Sequence, residues 1–144
     1  MKAPVRHLLA LAVAALAPLA HADFYLIVQA ANPKPALTPR EAVGMFMGRN
    51  RAFHSGAVAQ VYDLPRDSTQ RAEFYQRLTG MGPAQINSYW ARLMFSGQTM
   101  PPYAVQDEAA MVAVVKSNAN AIGWVRKEPN DKALRVLLVL KEPN

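Results

Sequence analysis

Cysteine is absent from all 144 residues. The chain therefore has no disulfide framework, no thiolate metal site, no thiol nucleophile and no lipid-modified cysteine anchor. Its fold must be held by an apolar core alone. Hydrophobic residues make up 51% and charged residues 18%, which excludes disorder as the main state. The length is that of one domain. Histidine is scarce as well: His7, His21 and His54 are all there are.

The first 22 residues have the order of an export leader. Lys2 and Arg6 lie in a start without acids, residues 8–19 are an apolar run, and Ala20-His21-Ala22 gives small residues around one variable position. The other reading of such a run is a membrane anchor, but a helix needs roughly 20 apolar residues to cross the hydrocarbon. Cleavage after Ala22 divides the chain into a signal peptide, 1–22, and a domain, 23–144, with a periplasmic destination. Losing 22 residues from 144 leaves 122, and losing Lys2 and Arg6 lowers the formal charge from +6 to +4. That excess is too small to argue for nucleic acid. No later segment is long and apolar enough for stable membrane insertion after cleavage. About 120 residues can bury a sufficient core without cross-links.

Strand and helix patterns alternate along residues 23–144. Phe24, Tyr25, Leu26, Ile27 and Val28 read as a buried strand. Thr38-Pro39-Arg40-Glu41 is a capping box with proline at the first helical position, and Gly48 supplies a stop. Residues 57–64 read as a second strand covered on both faces. Pro65-Arg66-Asp67-Ser68 is a turn that caps a helix over Thr69–Thr79, which Gly80 ends. Pro83 opens a further helix whose stripe is Ile86, Tyr89, Trp90, Leu93 and Met94. Residues 98–105 hold Pro101-Pro102 and read as an irregular crossing. Asp107 caps a short helix, with Met94 and Met111 as core filler, and Ala121–Val125 and Leu134–Leu140 are strands. The expected class is α/β, a small mixed sheet with helices on both faces.

Chemistry has few places to sit. Free amides and the dipole at the start of the Thr69–Thr79 helix favour an anion. Ser68 and Thr69 can add hydroxyl donors, Arg66 or Arg71 charge, and Asp67 completes the turn. The same residues are equally a plain helix cap with solvated arginines. Arg49, Arg51 and His54 form a small basic loop, read either as an anion contact or as a solvated one. The aromatic residues Tyr75, Tyr89, Trp90 and Trp124 read as core. One histidine beyond the leader and no cysteine leave no Cys/His pair and no zinc set. No Gly-x-Ser-x-Gly elbow and no Gly-rich phosphate loop is present. No catalytic residue, metal or cofactor is expected.

Four pieces carry a resemblance. These are residues 37–48, with the capped helix and Phe46-Met47-Gly48; Phe53 with Gly56; residues 61–75; and Asn120-Ala121-Ile122-Gly123-Trp124-Val125. In this order they resemble one lobe of the type II periplasmic binding proteins, in particular the phosphate-binding proteins of ABC importers. Residues 83–93 are similar to small single-lobe members of that group. The resemblance implies a phosphate or oxyanion substrate-binding module of ABC-type transport, with the anion at Arg66, Asp67, Ser68, Thr69 and Arg71. The family shows Arg-x-Asp-Gly-Ser-Gly-Thr at this turn. If Thr69 matches its final threonine, Asp63 stands in place of the arginine and both glycines are gone, so the backbone approaches an anion less closely. The alternative is a non-catalytic interaction module of the envelope that has lost ligand trapping. Its partner would be another envelope protein or a second copy.

Overall fold

The computed structural model describes residues 23–53 and 56–143. The expected leader, His54 and Ser55 lie outside the described residues. Nine elements follow one another: β1 (Phe24–Gln29), α1 (Pro39–Phe46), β2 (Gln60–Asp63), α2 (Thr69–Thr79), α3 (Pro83–Phe95), β3 (Tyr103–Ala104), α4 (Glu108–Ser117), β4 (Ala121–Val125) and β5 (Leu134–Leu140). The strands form one sheet in the order β3-β2-β4-β1-β5. β2 runs parallel to β3 and β4, whereas β1 runs antiparallel to β4 and β5.

Side-chain chemistry sets the helix ends. Thr38 Oγ1 accepts from the Glu41 N–H, and Glu41 Oε2 accepts from the Thr38 N–H, so two of the first-turn donors of α1 are satisfied reciprocally. Ser68 and Asp107 cap α2 and α4 in the same way, accepting from the N–H groups of Arg71 and Ala110. Gly80 closes α2 with φ 76°, a conformation that costs glycine no Cβ clash.

The sheet is covered on both sides. On one side α1 and α2 bring Phe46 and Phe74 onto Phe24 and Trp124. Phe74 stacks on Trp124 at 4.5 Å, and Phe24 meets both rings edge-on. On the other side α4 lays Met111 and Val115 against Gly123, where a Cβ would run into the Met111 side chain. A side chain larger than glycine's would therefore force α4 outward. Cover on both faces buries Leu26, Ile27 and Val28 in succession, and opposite Leu26 and Ile27 the β5 strand carries one extra residue, Leu137.

Three expectations need correction. The strand predicted over 57–64 is regular only over Gln60–Asp63, where Gln60 is exposed and Tyr62 half-buried, so one face is largely open. Met94 is exposed, not core filler, because α3 buries only Ile86 and Trp90 and its last two residues, Met94 and Phe95, face outward. The 98–105 crossing contains β3, two residues long, directly after Pro101-Pro102. At the opposite edge, the Leu37 N–H donates to the Leu137 carbonyl at 2.9 Å.

Candidate functional site

The connections around β2 create the site. From β2 the chain passes through α2 and α3 to β3 on one side. From β3 it passes through α4 to β4 on the other. Helices that leave neighbouring parallel strands for opposite faces open a crevice outside the strands' carboxyl ends. Here α2 and α4 both start at that edge, and residues 64, 65, 67–70 and 106–108 enclose an open crevice of about 590 Å³ between their N-termini.

Asp67, Ser68 and Thr69 line this crevice. Ser68 Oγ already accepts from the Arg71 N–H at 3.2 Å, and its hydroxyl proton is still available to donate to an anion. The first-turn amides of Thr69 and Gln70 have no acceptor within the helix. Thr69 itself is exposed. Charge in the crevice is negative: Asp67, Asp107 and Glu108 border it. Two of these carboxylates are occupied, since Asp107 caps α4 and Glu108 Oε1 accepts from the Arg126 N–H at 2.7 Å.

Arg66 and Arg71 lie apart from the crevice. Both line a second cleft of about 300 Å³, formed by the end of β2, α3 and the segment leading into β3. Arg66 is exposed at its rim. Arg71 is 7% exposed, and its Nε donates to Asp63 Oδ2 at 2.8 Å. Tyr75 Oη donates to the same oxygen at 2.9 Å, and the Leu64 N–H donates to Oδ1. The Arg71 guanidinium also lies 4.9 Å from the centre of the Tyr75 ring. Burial pushes the Asp63 carboxyl up from its ordinary value, against the pull of Arg71 and the neutral donors. Burial and the nearby Asp63 charge push the Tyr75 phenol well up, so it remains a donor.

The sequence-read site residues thus divide between two neighbouring hollows. Asp67, Ser68 and Thr69 face one, and Arg66 and Arg71 the other. Asn87 and Trp90 belong to the second cleft as well. Sequence reading missed Asn87, whose only signal was its polar character on a helix that is otherwise apolar on that side. In the basic loop, Arg51 Nη2 donates to the Met100 carbonyl at 2.8 Å and so ties the loop to the segment before β3; His54 is outside the described residues. Among the described residues no group of three or more His, Asp or Glu could hold a metal ion.

No protein-family model and no curated protein matches the sequence. Solved structures do match in shape. One is a protein assigned as a phosphate ABC transporter substrate-binding protein from Clostridium perfringens, solved with bound phosphate; it superposes with a TM-score of 0.63 at 18% identity, over 81% of this chain and 45% of that one. A second is an ABC-type phosphate transport receptor from Vibrio cholerae, with a TM-score of 0.61, 18% identity, and coverage of 81% and 46%. The fold is that of one lobe of a type II periplasmic binding protein. The chain spans a little under half the length of the structures it matches. In this lobe, the strand–turn–helix over residues 61–75 takes the form expected of it. No helix among the described residues is long and apolar enough to cross a membrane.

Proposed function

We propose that the lobe is an exported, non-catalytic binding module that holds a small phosphate-like oxyanion at the start of α2. The observation that carries this reading is the open start of α2. The Thr69 and Gln70 amides sit at the carboxyl edge of parallel strands, in a crevice that a second helix N-terminus also borders. Amides and helix dipoles favour an anion there without any cationic side chain. The matched Clostridium perfringens protein binds phosphate, which supports the same class of ligand here. Asp67, Asp107 and Glu108 make high ligand charge unfavourable, so a singly charged oxyanion suits the crevice best. The order of residues 1–22 supports export to the periplasm, and the whole protein's role would lie with ABC-type transport.

Titration calorimetry with phosphate, sulfate and formate tests the reading. Saturable heat with phosphate near neutral pH is expected, and Thr69→Pro, which removes one amide hydrogen at a position where proline is tolerated, should weaken it. No heat with any of the three at millimolar concentration refutes it.

A second reading has its own support. Phe95 ends α3 at 96% exposure, with Met94, Met100 and Tyr103 also exposed. Large apolar side chains of this kind mark contact surfaces. The lobe would then serve as an interaction module in the envelope, pairing with a protein partner or a second copy. Light scattering of the protein and of Phe95→Ser separates the readings: a dimer or complex lost in the variant favours the second.

A further inference from the structure

We propose that the second cleft takes a small monocarboxylate with an apolar body. The argument begins with Arg71. A guanidinium has five N–H donors in a planar fork. Asp63 takes only the Nε edge, at 2.8 Å. Nη1 reaches Asn87 Oδ1 at a marginal 3.5 Å, and Nη2 has no hydrogen-bond partner among the described residues. The side chain is nevertheless more than nine-tenths buried and forms part of the cleft lining. A mostly buried cation that turns an unused donor edge to an open cleft offers that edge to an anion, which there competes only with the water of the cleft. A carboxylate completes it by two parallel hydrogen bonds.

Charge decides between a carboxylate and a phosphate. Asp63 already neutralises Arg71, so among the described residues lining the cleft the one cation without a carboxylate partner is Arg66 at its rim. A dianion would be left with excess negative charge beside the buried Asp63. A monoanion is balanced. The walls decide the rest. Trp90, Ala91 and Met94 from α3 face Pro101 and Pro102, so a ligand that reaches Arg71 must lay carbon against carbon on the way. About 300 Å³ admits a ring or a branched chain of a few carbons. Asn87 can offer its amide hydrogens to the second carboxylate oxygen.

This cleft lies beside the α2 crevice and not within it, so either assignment can fail without the other. Calorimetry of the purified protein with benzoate, isovalerate, neutral benzamide and inorganic phosphate tests the proposal. Benzoate and isovalerate should bind saturably, and benzamide at least about tenfold more weakly, a difference of about 1.4 kcal/mol. Two variants localise the site. Ala91→Trp grows from an exposed position of α3 into the cleft, and Asn87→Asp supplies a resident carboxylate to Arg71. Each should weaken benzoate by at least about tenfold, with the melting temperature held or raised. Phosphate binding at the α2 start should survive both variants. The proposal is overturned if benzoate shows no saturable binding, if benzamide binds equally well, or if both variants bind benzoate normally. Heat with phosphate alone overturns it too, while leaving the α2 crevice standing.

Discussion

Replacing Asp63 by asparagine removes one charge and almost no volume. In the native fold the carboxylate accepts from Arg71 Nε at 2.8 Å, Tyr75 Oη at 2.9 Å and the Leu64 N–H at 2.8 Å. The amide oxygen of the variant can still accept from Leu64, and the tyrosine hydroxyl can turn to accept from the new NH₂ group. Arg71 has no such remedy, because the NH₂ presents a second donor to its Nε. The variant therefore leaves a guanidinium more than nine-tenths buried without a counter-charge. Breaking a buried pair from one side costs about 3–5 kcal/mol. Set against the roughly 5–15 kcal/mol that holds an ordinary domain, the variant should fold but sit close to its limit. The assay is urea unfolding followed by the fluorescence of the tryptophans, since Trp124 is stacked on Phe74 in the core. The midpoint should fall with little change in slope. A double variant, Asp63→Leu with Arg71→Met, should recover most of the loss, because it leaves no unpaired charge behind. A loss under about 1 kcal/mol in Asp63→Asn, or a double variant as unstable as the single, would refute the reasoning, for the pair would then be solvated and exchangeable.

Gly123→Ala should cost about 1–3 kcal/mol by overpacking against Met111. Combined with Met111→Ala it should cost less than the two losses added, as read from chemical denaturation of all three variants. Ser68→Ala removes the acceptor for the Arg71 N–H and should lower stability by about 1 kcal/mol. If the α2 start holds an oxyanion, the same variant should weaken phosphate in calorimetry. The Thr38 N–H and hydroxyl, with Lys34 beside them, hold the Glu41 carboxyl down from 4.5 to about 2. A depressed native value adds stability above the unfolded value that is lost as pH falls from about 4.5 towards 2. Glu41→Gln should therefore flatten the acid limb of the melting temperature over that range and lower the neutral plateau. An acid limb identical to the parent's would show that the capping box does not report on folding.

Local signals made most of the elements legible. A capping box at Thr38, serine and aspartate caps at Ser68 and Asp107, and stops at Gly48 and Gly80 mark helix ends through backbone groups that the chain satisfies within a turn. Short apolar runs marked β1, β4 and β5, dense in Val, Ile and Leu in β1 and β5 and carried by Ile122, Trp124 and Val125 in β4. What the sequence did not reveal depends on distant partners. β3 exists only because Tyr103 and Ala104 meet Tyr62 and Asp63 across the edge of the sheet. The stripe on α3 suggested five inward residues, yet only Ile86 and Trp90 are buried, because the helix extends past the body it packs on. At the site, the spacing of Arg66 to Arg71 marked the turn and the helix start. It carried no sign that Asp63 would fold back onto Arg71, or that the two arginines would open into a hollow separate from Ser68 and Thr69. The pairing of Asp63 with Arg71 joins a strand end to a helix start, and no periodic pattern records it.

Both borders of the sheet are poor templates for growth. β3 is two residues long and follows Pro101 and Pro102, neither of which has an amide hydrogen to give. β5 is longer, but Leu37 of the same chain already occupies its Leu137 carbonyl. Strand-by-strand accretion needs a continuous row of vacant donors and acceptors. The lobe can thus display Phe95 and its apolar neighbours to a partner without also seeding fibrils from its own backbone.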